Sequence, residues 1–164
     1  GLSIIDQKME CVAAGFNYRM TDIQASLVVG QIERISEIQE KRERIVARYD
    51  AELVDRWFIK PTMPKEGKTS WQSYHILLKD SVDRHRFFEY LKQQQIGANY
   101  GAQCIPSQRY YQNKYQYQAS QFSNATRAFT KGVVLPLFNS MTDAQIIHVI
   151  SAVNSFFRSE NDKQ

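Results

Sequence analysis

From Thr21 to Leu53 the chain places Ile23, Leu27, Val28, Ile32, Ile35, Ile38, Ile45, Val46, Tyr49 and Leu53 broadly at helical spacing. Its start is marked by Thr21-Asp22-Ile23-Gln24, a capping box in which the threonine hydroxyl accepts the N3 amide and the glutamine reaches back. The pattern predicts one long helix, or two in line, with Gly30 as the expected kink. At the rise of an α-helix such a segment extends roughly 50 Å, longer than a small domain needs. Between Glu33 and Arg44 it is densely charged, with Glu40 facing Arg44 one turn on, which reads as a solvated face. A helix that outreaches its own core packs on something else, so its apolar start is the expected subunit interface.

Beyond Arg56 the pattern changes. Trp57-Phe58-Ile59 reads as a short strand, Pro61 to Lys68 as a loop, and Ser73-Tyr74-His75-Ile76-Leu77-Leu78 as an apolar strand. Ser81 or Asp83 starts a helix through Phe87, Phe88 and Leu91 to about Gln94, followed by an extended segment from Ile96 to Gln103. Gln112 to Gln121, polar with interleaved tyrosines, is expected as a surface loop. Ser123 or Asn124 caps a helix to Lys131, with Gly132 as its C′ stop. Val133 to Phe138 is then a strand that Pro136 restricts to an edge or bulge. Met141-Thr142-Asp143-Ala144-Gln145 repeats the capping device before a last helix through Ile147, Val149, Ile150, Val153 and Phe156, and the tail from Ser159 is polar. Helices and strands in this order define an α+β layer with a helical entrance.

Composition narrows the function. A chain of 164 residues suits one domain, and at that size it buries roughly two-thirds of its unfolded surface. Its net charge of +4 is spread among acidic residues, and Glu33, Glu37 and Glu40 precede and Glu43 interrupts the basic stretch from Lys41 to Arg48, which argues against a nucleic-acid binder. Cys11 and Cys104 are far apart and show no metal-ligand spacing to His75, His85 or His148, so no metal site and a reduced, cytoplasmic setting are expected. No apolar run approaches the length of a membrane span, and neither a basic n-region nor a signal-like h-region opens the chain. No G-x-S-x-G, H-E-x-x-H or phosphate-cradling glycine loop occurs. His75, inside an apolar strand, reads as a satisfied core histidine.

Just ahead of the first capping box stands Gly15-Phe16-Asn17-Tyr18-Arg19-Met20, where a simple loop would suffice. This stretch, with Thr21 to Ala25, Gln31-Ile32-Glu33-Arg34 and Arg44, resembles the G-x-N-Y-R-M signature of the DegT/DnrJ/StrS family of pyridoxal-phosphate sugar aminotransferases. The resemblance continues through Ser73-Tyr74-His75, Arg84 and the helix to Gly97, Ile105-Pro106, Tyr110-Tyr111, Leu135-Pro136-Leu137-Phe138 and Met141-Thr142.

That resemblance implies a fold type I dimer, of which this chain is the small C-terminal domain preceded by a long interface helix. It divides the chain into a segment at 1–20 with a cofactor-phosphate arm, a linking helix at 21–54, an α+β domain at 55–158 and a tail at 159–164. Asn17 is the implied phosphate ligand, reaching into the neighbouring subunit's site; an uncharged amide donor ahead of a helix start suits a phosphate oxygen. Arg19 is implied at the interface or at the substrate diphosphate. Where many relatives carry H-Y-x-P-x-H, this chain reads Gln103-Cys104-Ile105-Pro106-Ser107-Gln108, so Tyr100, Gln103 and Gln108 are the implied substrate contacts, able to bond sugar hydroxyls but not to shuttle a proton.

The lysine that holds the cofactor is expected upstream of this chain, and Lys8 does not take its role. The chain alone is therefore expected neither to hold pyridoxal phosphate nor to transaminate. The parent enzyme is expected to move an amino group, usually from glutamate, to a keto group of a nucleotide-linked deoxysugar for surface polysaccharide or glycoconjugate synthesis. Two alternatives stay open: a sister group in which histidine replaces the lysine and the reaction is a dehydration, and a non-catalytic dimerisation module.

Overall fold

The computed structural model describes residues 2–5, 8–11, 18–101 and 103–161. The chain divides into two compact units, Gly1–Glu37 and Ile38–Gln164.

In the first unit β1 (Leu2–Ile5) and β2 (Lys8–Cys11) pair antiparallel, with Leu2 opposite Cys11 and Ile5 opposite Lys8. Helix α1 (Asp22–Ile32) follows, started as expected by the Thr21 box: the Gln24 amide donates to Thr21 Oγ1 at 3.3 Å and the Thr21 amide donates to Gln24 Oε1 at 3.0 Å. None of its residues is buried within the chain; Ile23 is 76% exposed and Leu27 68%. Gly30 does not kink it. The interruption falls at Glu33 and Arg34, where the Arg34 amide turns back to the carbonyl of Gln31 at 3.2 Å, a tightened last turn, before α2 (Ile35–Glu52) begins. Glycine permits a bend, but nothing in the surroundings of Gly30 demands one.

The second unit is built on a three-stranded antiparallel sheet ordered β3 (Phe58–Ile59), β4 (Tyr74–Leu78), β5 (Gly132–Leu135). Strand β4 is central, pairing Phe58 with Leu78 on one side and Tyr74 with Leu135 on the other. Its period-two alternation buries Tyr74, Ile76 and Leu78 fully and leaves His75 and Leu77 half-buried on the opposite face. The buried face joins Ile45, Val46 and Tyr49 of α2, Phe87 and Leu91 of α3 (Arg84–Gln93), and Val153, Phe156 and Phe157 of the C-terminal helix (Asp143–Asn161) in one core. Phe87 lies 4.9 Å from Phe156 and 5.2 Å from Phe157, ring centroid to centroid.

Asp83 caps α3, accepting from the amides of His85 and Arg86, and the C-terminal helix starts on a second box in which Thr142 and Gln145 bond reciprocally. Asn154 closes the other end of α2, accepting from the Val54 amide and donating to the Glu52 carbonyl.

Among the described residues, the extended segment from Ile96 to Gln103 makes one bridge, Asn99 to Val134. Two expectations are corrected. Gln112 to Gln121 is not a loop: α4 (Arg109–Tyr115) and a 3-10 turn at Ala119–Phe122 occupy most of it. There Tyr110, Tyr111, Tyr115, Tyr117 and Phe122 pack ring on ring at 5.0 to 6.1 Å, supplying an apolar contact that the polar composition hides. Gly132 ends α5 (Ser123–Lys131), but with φ −70° it is no left-handed cap. It is glycine because a Cβ there would overlap the Ala128 carbonyl and the His75 ring. Among the described residues no helix is long and apolar enough to cross a membrane.

Candidate functional site

After α3 the chain reverses at Gln95, whose φ is +58°, and the buried Ile96 returns its amide to the Leu91 carbonyl. Asn99 then pairs both ways with Val134, donating at 3.3 Å and accepting at 2.7 Å, while its side-chain oxygen accepts from the Tyr100 amide at 2.6 Å. Tyr100, 48% exposed, sets its ring edge-on to Phe88 at 5.1 Å. The Arg84 guanidinium stands over the same ring, 4.6 Å from its centroid, and donates to the carbonyls of Phe129 and Gly132. One arginine thus joins the start of α3, the end of α5 and the Tyr100 ring.

Gly101 follows with φ +77°, a conformation suited to glycine, and a Cβ there would overlap Val134 and lie 3.0 Å from the His75 ring. Gln103 is exposed. Cys104 is buried, and its carbonyl accepts from both the amide and the hydroxyl of Ser107, closing the 3-10 turn Ile105–Ser107. Gln108, exposed, stands at the start of α4 with no side-chain cap bond.

The structure therefore places Tyr100, Gln103 and Gln108 on one connection between α3 and α4, all with exposed side chains. Arg19 is exposed in the other unit. Asn17 lies outside the described residues.

Two clefts flank Tyr100. One, of about 360 Å³, is lined by His85, Phe88, Lys92, Asn99 and Tyr100; the other, of about 310 Å³, by Asp83, Arg84, Phe88, Tyr100 and Lys131. A larger apolar cleft of about 600 Å³ opens between Ile96, Phe138, Met141 and His148, and no residue expected at the site lines it.

His75 is not the satisfied core histidine that its strand suggested. Its Nε2 is buried without a hydrogen-bond partner, and burial lowers the ring's pKa below the usual 6.5, against an opposing backbone hydrogen bond with Tyr100. Sequence reasoning missed both His75 and Arg84 as neighbours of Tyr100, since the residues that bring them together are remote in the chain. The glycines at 101 and 132 were the available signal.

Among the described residues no charged side chain is buried and no group of three or more His, Cys, Asp or Glu could hold a metal. A doubly charged phosphate ester held away from water needs several converging donors or cations.

The fold matches part of a fold type I aminotransferase: Spr1654 of Streptococcus pneumoniae, assigned as a sugar aminotransferase, superposes with TM-score 0.82 at 20% identity, covering 100% of this chain and 42% of that one. Helicobacter pylori PseC, an aminotransferase of pseudoaminic acid biosynthesis, gives 0.80 at 21% identity, covering 97% and 43%. Residues 3–154 match the DegT/DnrJ/EryC1/StrS aminotransferase family, and the chain belongs to it. Pyridoxal phosphate is the family's cofactor, and Spr1654 is known in both its PLP and PMP forms.

The uncharacterized protein MJ1066 of Methanocaldococcus jannaschii is 31% identical over 156 residues, 93% of this chain and 40% of its own length. The spore coat polysaccharide biosynthesis protein SpsC of Bacillus subtilis is 29% identical over 154 residues, 91% of this chain and again 40% of its own. The chain thus spans about 40% of the length of the curated relatives it matches.

Proposed function

We propose that this chain is the C-terminal portion of an aminotransferase that transfers an amino group, with glutamate as donor, to the keto carbon of a nucleotide-linked deoxysugar in surface polysaccharide or glycoconjugate synthesis. The observation that carries the reading is the family match across residues 3–154. The name of SpsC, a polysaccharide biosynthesis protein, supports the pathway class. Pyridoxal phosphate supplies the electron sink for the amino transfer.

This chain's own part is binding and assembly. Tyr100, Gln103 and Gln108 offer a phenol and two amides, which suit sugar hydroxyls and carry no charge that would repel the diphosphate. Arg19 offers a guanidinium to that diphosphate or to the interface, and Asn17 a neutral donor to the cofactor phosphate of the neighbouring subunit. The exposed apolar residues of α1, Ile23 and Leu27 among them, support an interface with a second copy in a soluble, cytoplasmic homodimer. The Schiff-base lysine is assigned to the remainder of the family fold, so the isolated chain is inactive.

The test is product analysis. A polypeptide carrying this segment together with the rest of the family fold, given glutamate and a nucleotide-linked keto-deoxysugar, yields the amino sugar by mass spectrometry. Amino transfer to no nucleotide-linked keto sugar, or loss of water from the sugar instead, refutes the reading.

A further inference from the structure

Arg84 and Phe88 stand one turn apart on α3, so their side chains share a face of that helix. Between them they hold the Tyr100 ring. The Arg84 guanidinium carbon lies over it, 4.6 Å from the centroid, and the Phe88 ring meets it edge-on at 5.1 Å with an interplanar angle of 79°. The same guanidinium lies 5.9 Å from the Phe88 centroid, so the three groups form one packed set. The backbone beside the ring is fixed independently, by the two-way pairing of Asn99 with Val134.

What this clamp leaves free is the phenol. Tyr100 Oη has no hydrogen-bond partner among the described residues, and Tyr100 lines both of the clefts that flank it. The guanidinium, by contrast, is anchored: its bonds to the Phe129 and Gly132 carbonyls satisfy acceptors at the end of α5. A lysine can reach one of those carbonyls. A planar fork can bond both and still stand over a ring.

We propose that Arg84 is a positioning residue for substrate binding: anchored on the end of α5, it holds the Tyr100 ring against Phe88 and so presents an unpartnered phenol in one orientation to a hydroxyl-rich ligand. The substrate half of this inference rests on the reading of Tyr100 given above; the clamp itself does not depend on it.

The test begins on this chain with isotope-labelled arginine and tyrosine. The Arg84 side-chain protons show the upfield shifts that a tyrosine ring imposes on groups above it, with nuclear Overhauser contacts to Tyr100. Their absence overturns the proposal whether or not any variant folds. Arg84→Lys moves the Tyr100 ring signals while those of Tyr74, in the core, keep their places; unmoved Tyr100 signals overturn the proposal.

The complete enzyme then supplies a double-mutant cycle. Arg84→Lys lowers kcat/KM for the nucleotide sugar by about fivefold, the loss of roughly one cation–ring contact, with kcat/KM for glutamate unchanged. In a Tyr100→Ala background the same change has no further effect. A loss of equal size in both backgrounds belongs to the packing of α5 and overturns the positioning role. If Tyr100→Ala alone leaves the sugar value unchanged, the substrate half falls and the clamp, read from the ring signals, stands. An enzyme that aminates no nucleotide-linked sugar refutes the proposed function instead.

Discussion

The guanidinium carbon of Arg84 lies 4.6 Å from the centroid of the Tyr100 ring, while Nη1 of the same group donates to the carbonyls of Phe129 and Gly132. Arg84→Ala removes the stacking partner and leaves two half-buried carbonyls to find other donors. The expected loss is about 2 kcal/mol of unfolding free energy, read as a lower urea midpoint. Arg84→Lys recovers only part of it, because an ammonium group cannot stack flat on the ring and bridge two carbonyls together. Full recovery by lysine would show that charge alone is at work.

Tyr74 Oη donates to Asp50 Oδ1 at 2.6 Å, tying the central strand to α2. The phenol is buried, and both burial and the aspartate raise its pKa well above that of a free tyrosine. Tyr74→Phe keeps the packing and deletes the bond. With the carboxylate exposed, the cost is about 1 kcal/mol, a fall in Tm of about 2–4 °C at this chain length. Scanning calorimetry checks it, and an unchanged Tm would mean that water replaces the phenol without loss.

Gly132→Ala is expected to be the most damaging single methyl group in the second unit, because the Cβ meets the fixed Ala128 carbonyl as well as His75. Overpacking against backbone costs about 1–3 kcal/mol or more. Gly30→Ala, on an exposed helix with open space around it, gains about 0.5–1 kcal/mol of helix propensity instead. Chemical denaturation of the two variants side by side reads the contrast, and equal effects would contradict the packing at Gly132.

How far the chain was legible follows from the range of each interaction. The boxes at Thr21–Gln24 and Thr142–Gln145 close within four residues, and both form as the sequence implies. The alternation of Tyr74, Ile76 and Leu78 set the buried face of β4 for the same local reason. Helix α4 was missed because its apolar contacts are tyrosines in a polar stretch, where the ring edges rather than the composition do the packing. The break at Glu33 and Arg34 depends on a backbone turn that no side chain announces. At the candidate site, Tyr100, Gln103 and Gln108 were singled out through a family pattern, whereas His75 and Arg84 meet Tyr100 only after β4, α3 and β5 have come together.

His75 also makes stability depend on pH. Its folded-state pKa is lowered by burial, so the unfolded chain takes up the proton more readily. The contribution of the neutral ring is complete above the ordinary value of 6.5 and is lost as pH falls below it toward the folded pKa. Arg84 donates to the carbonyl of Gly132, the residue against which the ring rests. Urea midpoints taken from about pH 7.5 down to about pH 5.5 should fall more steeply for the native chain than for His75→Asn. Parallel slopes would contradict the buried neutral ring.

Asn17 is proposed to complete the cofactor site of a neighbouring subunit. In the complete enzyme, Asn17→Ala removes one hydrogen bond to a charged phosphate, about 1.5–3 kcal/mol, or roughly one to two decades in cofactor affinity. The direct measurement mixes Asn17→Ala subunits with subunits lacking the Schiff-base lysine, at limiting pyridoxal phosphate and with subunit exchange verified. Each mixed dimer then holds one site with both defects and one with neither, so transaminase activity should rise above that of either variant alone. Activity that stays at the level of the unmixed variants would place Asn17 in its own subunit's site or in none, and the cross-subunit reading would fall.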